Sequence, residues 1–230
     1  MIIYIFTRDD TVNNMELKDN KYYLIDLDGV ILDTSYDNHF WQVHIPDVYA
    51  KKKSISMEDS IKVTHSLFNY KKKTKDWYNI DYWSNILDID IKAEKEKKEN
   101  MNRMSYKEGA IEVLDKMKKL NKELYLVTNA HKKTLEIKLQ KFHIKKYFKQ
   151  MICSHELGYI KEDIQFWHVL RTKLNINYSK SLLIEDTMDN ISSAYHAGLR
   201  NFIYITDDKE TNNKVNAQYI KAFSELASSF

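Results

Sequence analysis

Glycine, proline and cysteine are all scarce in this chain of 230 residues, which holds four glycines, one proline and one cysteine. The lone Cys153 excludes an intramolecular disulfide and fits a reducing compartment. It follows Met151-Ile152 and reads as a small buried residue. A surplus of charge of one sign is also lacking: 36 Lys and Arg face 33 Asp and Glu, for a net charge of +3. That balance argues against nucleic acid or an anionic membrane as a partner. The lysine clusters at 51–53, 71–73 and 94–98 read as solvated faces. The N-terminal MIIYIF is too short to span a bilayer and lacks the marks of a signal peptide. The expectation is a soluble, cytoplasmic protein. With so few glycines, each survivor is expected where only glycine fits: Gly29, Gly109, Gly158 and Gly198 all fall at junctions between elements.

What the chain does have is a series of short apolar runs, each ending in polar residues. Residues 22–26 (YYLID) read as a buried strand. Further runs at 124–127, 151–153, 181–184 and 202–205 end in Thr128-Asn129, Ser154-His155, Glu185-Asp186 and Thr206-Asp207-Asp208. Helical spacing fills the gaps, as in Ala110/Leu114/Met117, Leu135/Leu139/Phe142, Trp167/Leu170/Leu174 and Ile191/Ala194/Tyr195, with Gly198 placed as a helix C-cap. Strands alternating with helices predict an α/β fold, a Rossmann-like doubly wound parallel sheet. Ligands of such sheets bind at the carboxyl ends of the strands, so these polar ends are expected to converge.

Residues 36–105 break the alternation. They read as helical, through Met57/Ile61/Phe68 and Trp83/Ile86/Leu87, and hold three of the four tryptophans, Trp41, Trp77 and Trp83. The expected organisation is a core of residues 1–35 and 106–230 with a helical cap, 36–105, inserted after the first strand.

Asp26 and Asp28 lie on one face of an extended chain, where two carboxylates repel unless a cation or protons intervene. Mg²⁺ is the common remedy, and a carboxylate can also act as a nucleophile. Taken alone, Asp-x-Asp-Gly is more often a pair of solvated acids in a turn. Thr128-Asn129 can hold phosphate oxygens or simply start a helix. Lys161 in GYIKED can neutralise a transferring phosphoryl group or be one surface lysine among many. Glu185-Asp186 can complete a metal site or cap the next helix.

The order of these pieces is more specific than any one of them. LIDLDGV, LYLVTNA, GYIKED and LLIEDTMDN resemble, in sequence order, the four motifs of the haloacid dehalogenase (HAD) superfamily. That resemblance implies a phosphoryl-transfer enzyme with Asp26 as nucleophile and Asp28 as general acid and base. It implies Thr128, Asn129 and Lys161 as phosphate-binding residues. It also implies Mg²⁺ held by Asp26, the Asp28 main-chain carbonyl and Asp186. Two departures stand out: Glu162 occupies a position where many members have proline, and Asn190 one where many have a second aspartate. Glu185 and Asn190 are therefore expected in the outer metal shell, with Asp189 as a rival.

DGVILDTSYDNHFWQVHIP, DWYNIDYWS and LVTNAHKKTLEIKL extend the likeness, into the cap, to the family's bacterial 5′-nucleotidases acting on GMP and IMP. The substrate implied is a small phosphomonoester, a purine nucleotide. Candidate base- and ribose-contacting residues are Asp37, His39, Trp41, Trp77 and Tyr82, with Phe40, Tyr78, Asp81 and Trp83 beside them and His131 near the phosphate; the aromatics serve equally as the cap's own core. A sugar-phosphate phosphatase or phosphomutase is the same-fold alternative. A phosphorylatable receiver or an inactive binding protein is the non-enzymatic one.

Overall fold

The computed structural model describes residues 19–207, 215 and 217–229, so the MIIYIF segment and Asp208 lie outside the described residues. Six parallel strands form one sheet: β1 (Tyr22–Ile25), β2 (Glu123–Thr128), β3 (Gln150–Cys153), β4 (Ser181–Glu185), β5 (Asn201–Ile205) and β6 (Gln218–Ile220). Their order is β3-β2-β1-β4-β5-β6. Five of these strands match the apolar runs. β6 was not read from the sequence, because three residues, Gln-Tyr-Ile, give too little pattern.

Strand side chains alternate between two buried layers. Tyr23, Ile25, Leu124, Leu126, Leu182 and Ile184 face one core; Leu24, Tyr125, Val127 and Leu183 face the other. Both faces are covered, which is why the strands read as continuous apolar runs. Register places Ile25 beside both Leu126 and Ile184, so β1, β2 and β4 end nearly level.

Between β1 and the next strand lie α1 (Ser35–His39), a π-turn (Phe40–His44), α2 (Ile45–Lys53), α3 (Met57–Lys71), α4 (Lys75–Tyr78), α5 (Ile80–Leu87), α6 (Ile91–Glu96), α7 (Lys98–Asn102) and α8 (Ala110–Lys119). α9 (Lys132–Lys141), α10 (Ile164–Leu174) and α11 (Met188–His196) follow between later strands. The π-turn and the helices from α2 to α6 share a third apolar cluster, built on Phe40, Ile45, Phe68, Trp83 and Leu87. The two crossings into and out of this helical segment lie side by side: Asp33 N donates to Ser105 O, and Lys107 N donates to Ile31 O.

Glycine scarcity shows in how helices stop. Ser54, Asp88 and Asn175 take the left-handed C-terminal positions that glycine usually fills. α3 is rotated from its expected phase: it buries Ser60, Thr64 and Phe68, while Met57 is exposed. Small hydroxyl residues let α3 approach α2 closely, and the Ser60 hydroxyl donates to Pro46 O.

Candidate active site

Asp26 is the first residue past β1 and is buried. Lys161 reaches it from the loop before α10. The Lys161 ammonium donates to Asp26 Oδ1 (2.5 Å), to Glu185 Oε2 (2.7 Å) and to Val127 O (3.1 Å). The loop is fastened at its backbone: Trp167 Nε1 donates to Lys161 O (2.7 Å), and Lys161 N donates to Asn129 Oδ1 (2.9 Å). Glu162, in place of proline, leaves the turn intact, since Asp163 N still donates to Ile160 O. Its carboxylate accepts from Asn129 Nδ2 (2.8 Å) and from the Tyr78 hydroxyl (2.5 Å), which comes from the helical segment. Thr128 is buried at the end of β2, and its Oγ1 accepts from Ala130 N (3.0 Å).

Asp26, Glu185 and Asp186 can each bring one carboxylate oxygen within 4.8 Å of the others. Gly29 makes room for this cluster. A Cβ there would lie 1.8 Å from Asp186 Oδ2, and its φ of 88° is one that side-chain-bearing residues rarely adopt. Burial pushes Asp26 up to about 7, with Lys161 pulling back and Glu185 adding to the rise. Burial likewise takes Glu185 to about 7 and Asp186 to about 6. A site that raises three adjacent carboxyls in this way fits a hard divalent cation. Glu185 has both oxygens engaged, since Oε1 accepts from Asp186 N and Thr187 N and Oε2 from Lys161. Its clearest task is to hold Lys161. Asn190 lies on the cavity with a buried Oδ1 that has no hydrogen-bond partner among the described residues. Asp189 points away, into a half-exposed ion pair with Lys73.

These carboxyls also set a pH dependence. Their folded values lie above the ordinary 3.8 to 4.5, so the fold favours the protonated forms. The stability they contribute is complete below about pH 4 and is lost as pH climbs through 6 to 7. A divalent cation competes with those protons. Saturating Mg²⁺ is therefore expected to raise the thermal midpoint more at about pH 8 than at about pH 5.5, read by thermal unfolding against EDTA.

Asp28 has a partner that sequence reasoning missed. Lys138 of α9 donates to Asp28 Oδ1 and to Asp37 Oδ2, both at 2.6 Å. Asp37 Oδ1 accepts in turn from Lys95 of α6 at 3.0 Å. The reading of 94–98 as a wholly solvated face is corrected here: Lys95 is 1 % exposed, with its ammonium 4.1 Å from the centre of the Phe40 ring. Burial raises Asp28, with Lys138 pulling back. Burial would also raise Asp37, but Lys138 and Lys95 outweigh it and hold that carboxyl below its ordinary value.

Asp26, Asp28, Thr128, Lys161, Glu185 and Asp186 line one cavity of about 650 Å³ between the strand ends and the helical segment. Trp41, Phe68, Trp77, Tyr78 and Trp83 form its apolar wall, and Asp37 and His131 also reach it. Trp41 and Trp77 meet Phe68 edge-on, so they serve the segment's own core as well as the cavity. His39 and Tyr82 are not brought to the cavity. His39 lies near Arg103, and Tyr82 packs edge-on against Trp83 with Lys71 over its ring. Asp81 is taken up by Lys133, at 2.7 Å. Cys153 is buried, and burial pushes its thiol up to about 12. No helix of the described residues is long and apolar enough to cross a membrane.

Comparison with known proteins agrees with this geometry. The chain is 29% identical over 194 residues to the GMP/IMP nucleotidase YrfG of Escherichia coli, covering 84% of this chain and 86% of that one. The same protein from Shigella flexneri matches equally. Among solved structures, a HAD phosphatase from Thermococcus onnurineus superposes with a TM-score of 0.79 at 19% identity, over 90% of this chain and 96% of that one. YfnB of Bacillus subtilis, determined bound to magnesium, gives 0.67 at 17%, over 91% and 97%. At these identities the superpositions speak for the fold. The sequence profile of the haloacid dehalogenase-like hydrolases matches residues 23–204. The chain belongs to that family, and it is a phosphatase.

Proposed function

We propose that this phosphatase is a Mg²⁺-dependent 5′-nucleotidase that frees phosphate from GMP and IMP through an aspartyl-phosphate on Asp26. The observation that carries the reading is the seat of Asp26. It is buried at a strand end, open to the cavity, bound by Lys161 and next to the Glu185–Asp186 pair. The likeness to a GMP/IMP nucleotidase over most of both chains supports the substrate class.

In this reading residues 36–105 act as a cap on a core of 1–35 and 106–230, and the phosphomonoester enters the cavity between them. The aromatic wall from Trp41 and Trp77 offers a purine a stacking face. Thr128 donates its hydroxyl to a phosphoryl oxygen. The Asn129 side chain is spent on Lys161 N and Glu162, so its backbone N–H is what remains for phosphate. The Asp26 carboxylate attacks phosphorus, and Lys161 offsets the charge that builds on both. The ester P–O bond breaks, and the departing oxygen takes the Asp28 proton. Burial favours the protonated Asp28 that this step needs. Water then attacks the aspartyl-phosphate while Asp28 takes its proton back, which frees Asp26 and phosphate. Asp26, Asp186 and the Asp28 carbonyl would hold Mg²⁺, which when bound neutralises phosphate and carboxylate charge.

The test is phosphate release from a phosphomonoester panel. GMP and IMP are expected to turn over fastest, and EDTA to bring the rate to background. Hydrolysis of sugar phosphates with GMP and IMP untouched would sink the nucleotidase reading.

A further inference from the structure

A chain of alternating charge, its two lysines buried and its two carboxylates half-buried, runs from the first motif into the helical segment. Asp28, Lys138, Asp37 and Lys95 follow one another at 2.6, 2.6 and 3.0 Å. Its two cations are almost sealed from solvent, Lys138 being 3 % exposed and Lys95 1 %. Lysine is rarely placed so deep unless its ammonium is fully paired. A buried ion chain is no better for stability than apolar packing of the same volume, so stability alone is a weak reason for it. Position is a better one. Lys138 belongs to α9, on the sheet side of the junction, whereas Asp37 and Lys95 belong to α1 and α6 of the helical segment. The Lys138–Asp37 pair joins the two sides, and Lys138 is the member of that pair that also holds Asp28.

We infer that Lys138 is a positioning residue: it holds the Asp28 carboxyl where the departing ester oxygen meets it, and it does so while Asp37 and Lys95 keep the helical segment seated. The inference rests on the phosphatase reading, in which Asp28 gives up its proton as the P–O bond breaks. The electron pair of that bond goes to the ester oxygen, the proton follows it, and the new Asp28 carboxylate faces the Lys138 ammonium. Asp37, pinned by two lysines, stops Lys138 from swinging into the cavity.

The leaving group separates this role from a structural one. A nucleoside leaving from its 5′-phosphate needs the proton, whereas p-nitrophenolate departs without it. The ratio kcat/KM covers steps through loss of the leaving group, so later hydrolysis of the aspartyl-phosphate does not enter. In Lys138→Met, kcat/KM for GMP is expected to fall about 100-fold or more, and that for p-nitrophenyl phosphate less than about fivefold. Lys138→Met leaves two half-buried carboxylates facing each other. The charge-balanced double variant Asp37→Asn/Lys138→Met is therefore measured beside it, with thermal unfolding of both, and should show the same split. Asp28→Asn, which removes the proton donor itself, should show it as well. Equal losses on the two esters in a folded variant, or no loss on either, overturn the inference while leaving the phosphatase reading intact. A wild type inert towards both esters overturns the phosphatase reading, and the inference with it.

Discussion

Asp26→Asn is expected to reduce phosphate release from GMP by at least about 10⁴-fold, because an amide cannot form the phosphoryl-enzyme. The substitution is nearly isosteric, and Lys161 keeps Glu185 and Val127 O as partners, so the fold should survive it. Removing one of two buried carboxylates beside a single ammonium also relieves their mutual repulsion. The variant is therefore expected to be at least as stable as the wild type in the absence of metal. Initial rates together with thermal unfolding check both halves. A stable variant that turns over normally would show that the nucleophile lies elsewhere.

Lys161→Met is expected to damage both activity and stability. Lys161 is buried against Asp26 and Glu185, whose charges hold its ammonium protonated despite burial. Taking away one member of a buried ion cluster costs about 3–5 kcal/mol, because the remaining charges are left unpaired. Here the two carboxylates can relieve the strain by taking protons. The wild-type lysine lowers the values of both. Without it they climb further above about 7, so the penalty is largest in alkali and shrinks as pH falls through that range. Denaturant unfolding at several pH values reads this directly. Activity is expected to fall about 10²- to 10³-fold, the usual cost of losing one preorganised charge partner of a transition state. Full stability of Lys161→Met at high pH would contradict the ion cluster described above.

How much was legible beforehand follows from where the signals sit. Asp26, Thr128 and Asp186 each lie at or just beyond the end of an apolar run, and a parallel sheet brings such ends together by its topology alone. The level register of Ile25, Leu126 and Ile184 completes that convergence. Lys161, in the loop before α10, was legible only through the order of the motifs. Lys138 and Lys95 carried no such mark. A lysine on a helix normally reads as solvated, and the carboxylates that bury these two lie 110, 101 and 58 residues away. One signal was present: Lys138 falls three residues after Leu135 on a stripe that ends in Phe142, and Lys95 four residues after Ile91. Lysines in line with an apolar stripe call for buried partners. His39 and Tyr82 went astray for a related reason. Nearness in sequence to Trp41 and Trp83 does not set the helical phase, which turns them to other surroundings.

The central claim is that phosphate passes through Asp26. It is tested most directly by acid-quenching the wild-type protein during turnover of GMP with Mg²⁺ and weighing its peptides. The expected result is one added phosphoryl group on the peptide that carries Asp26, absent in EDTA and in Asp26→Asn. A phosphoryl group on any other peptide, or full phosphate release by a variant without the Asp26 carboxylate, would contradict the account.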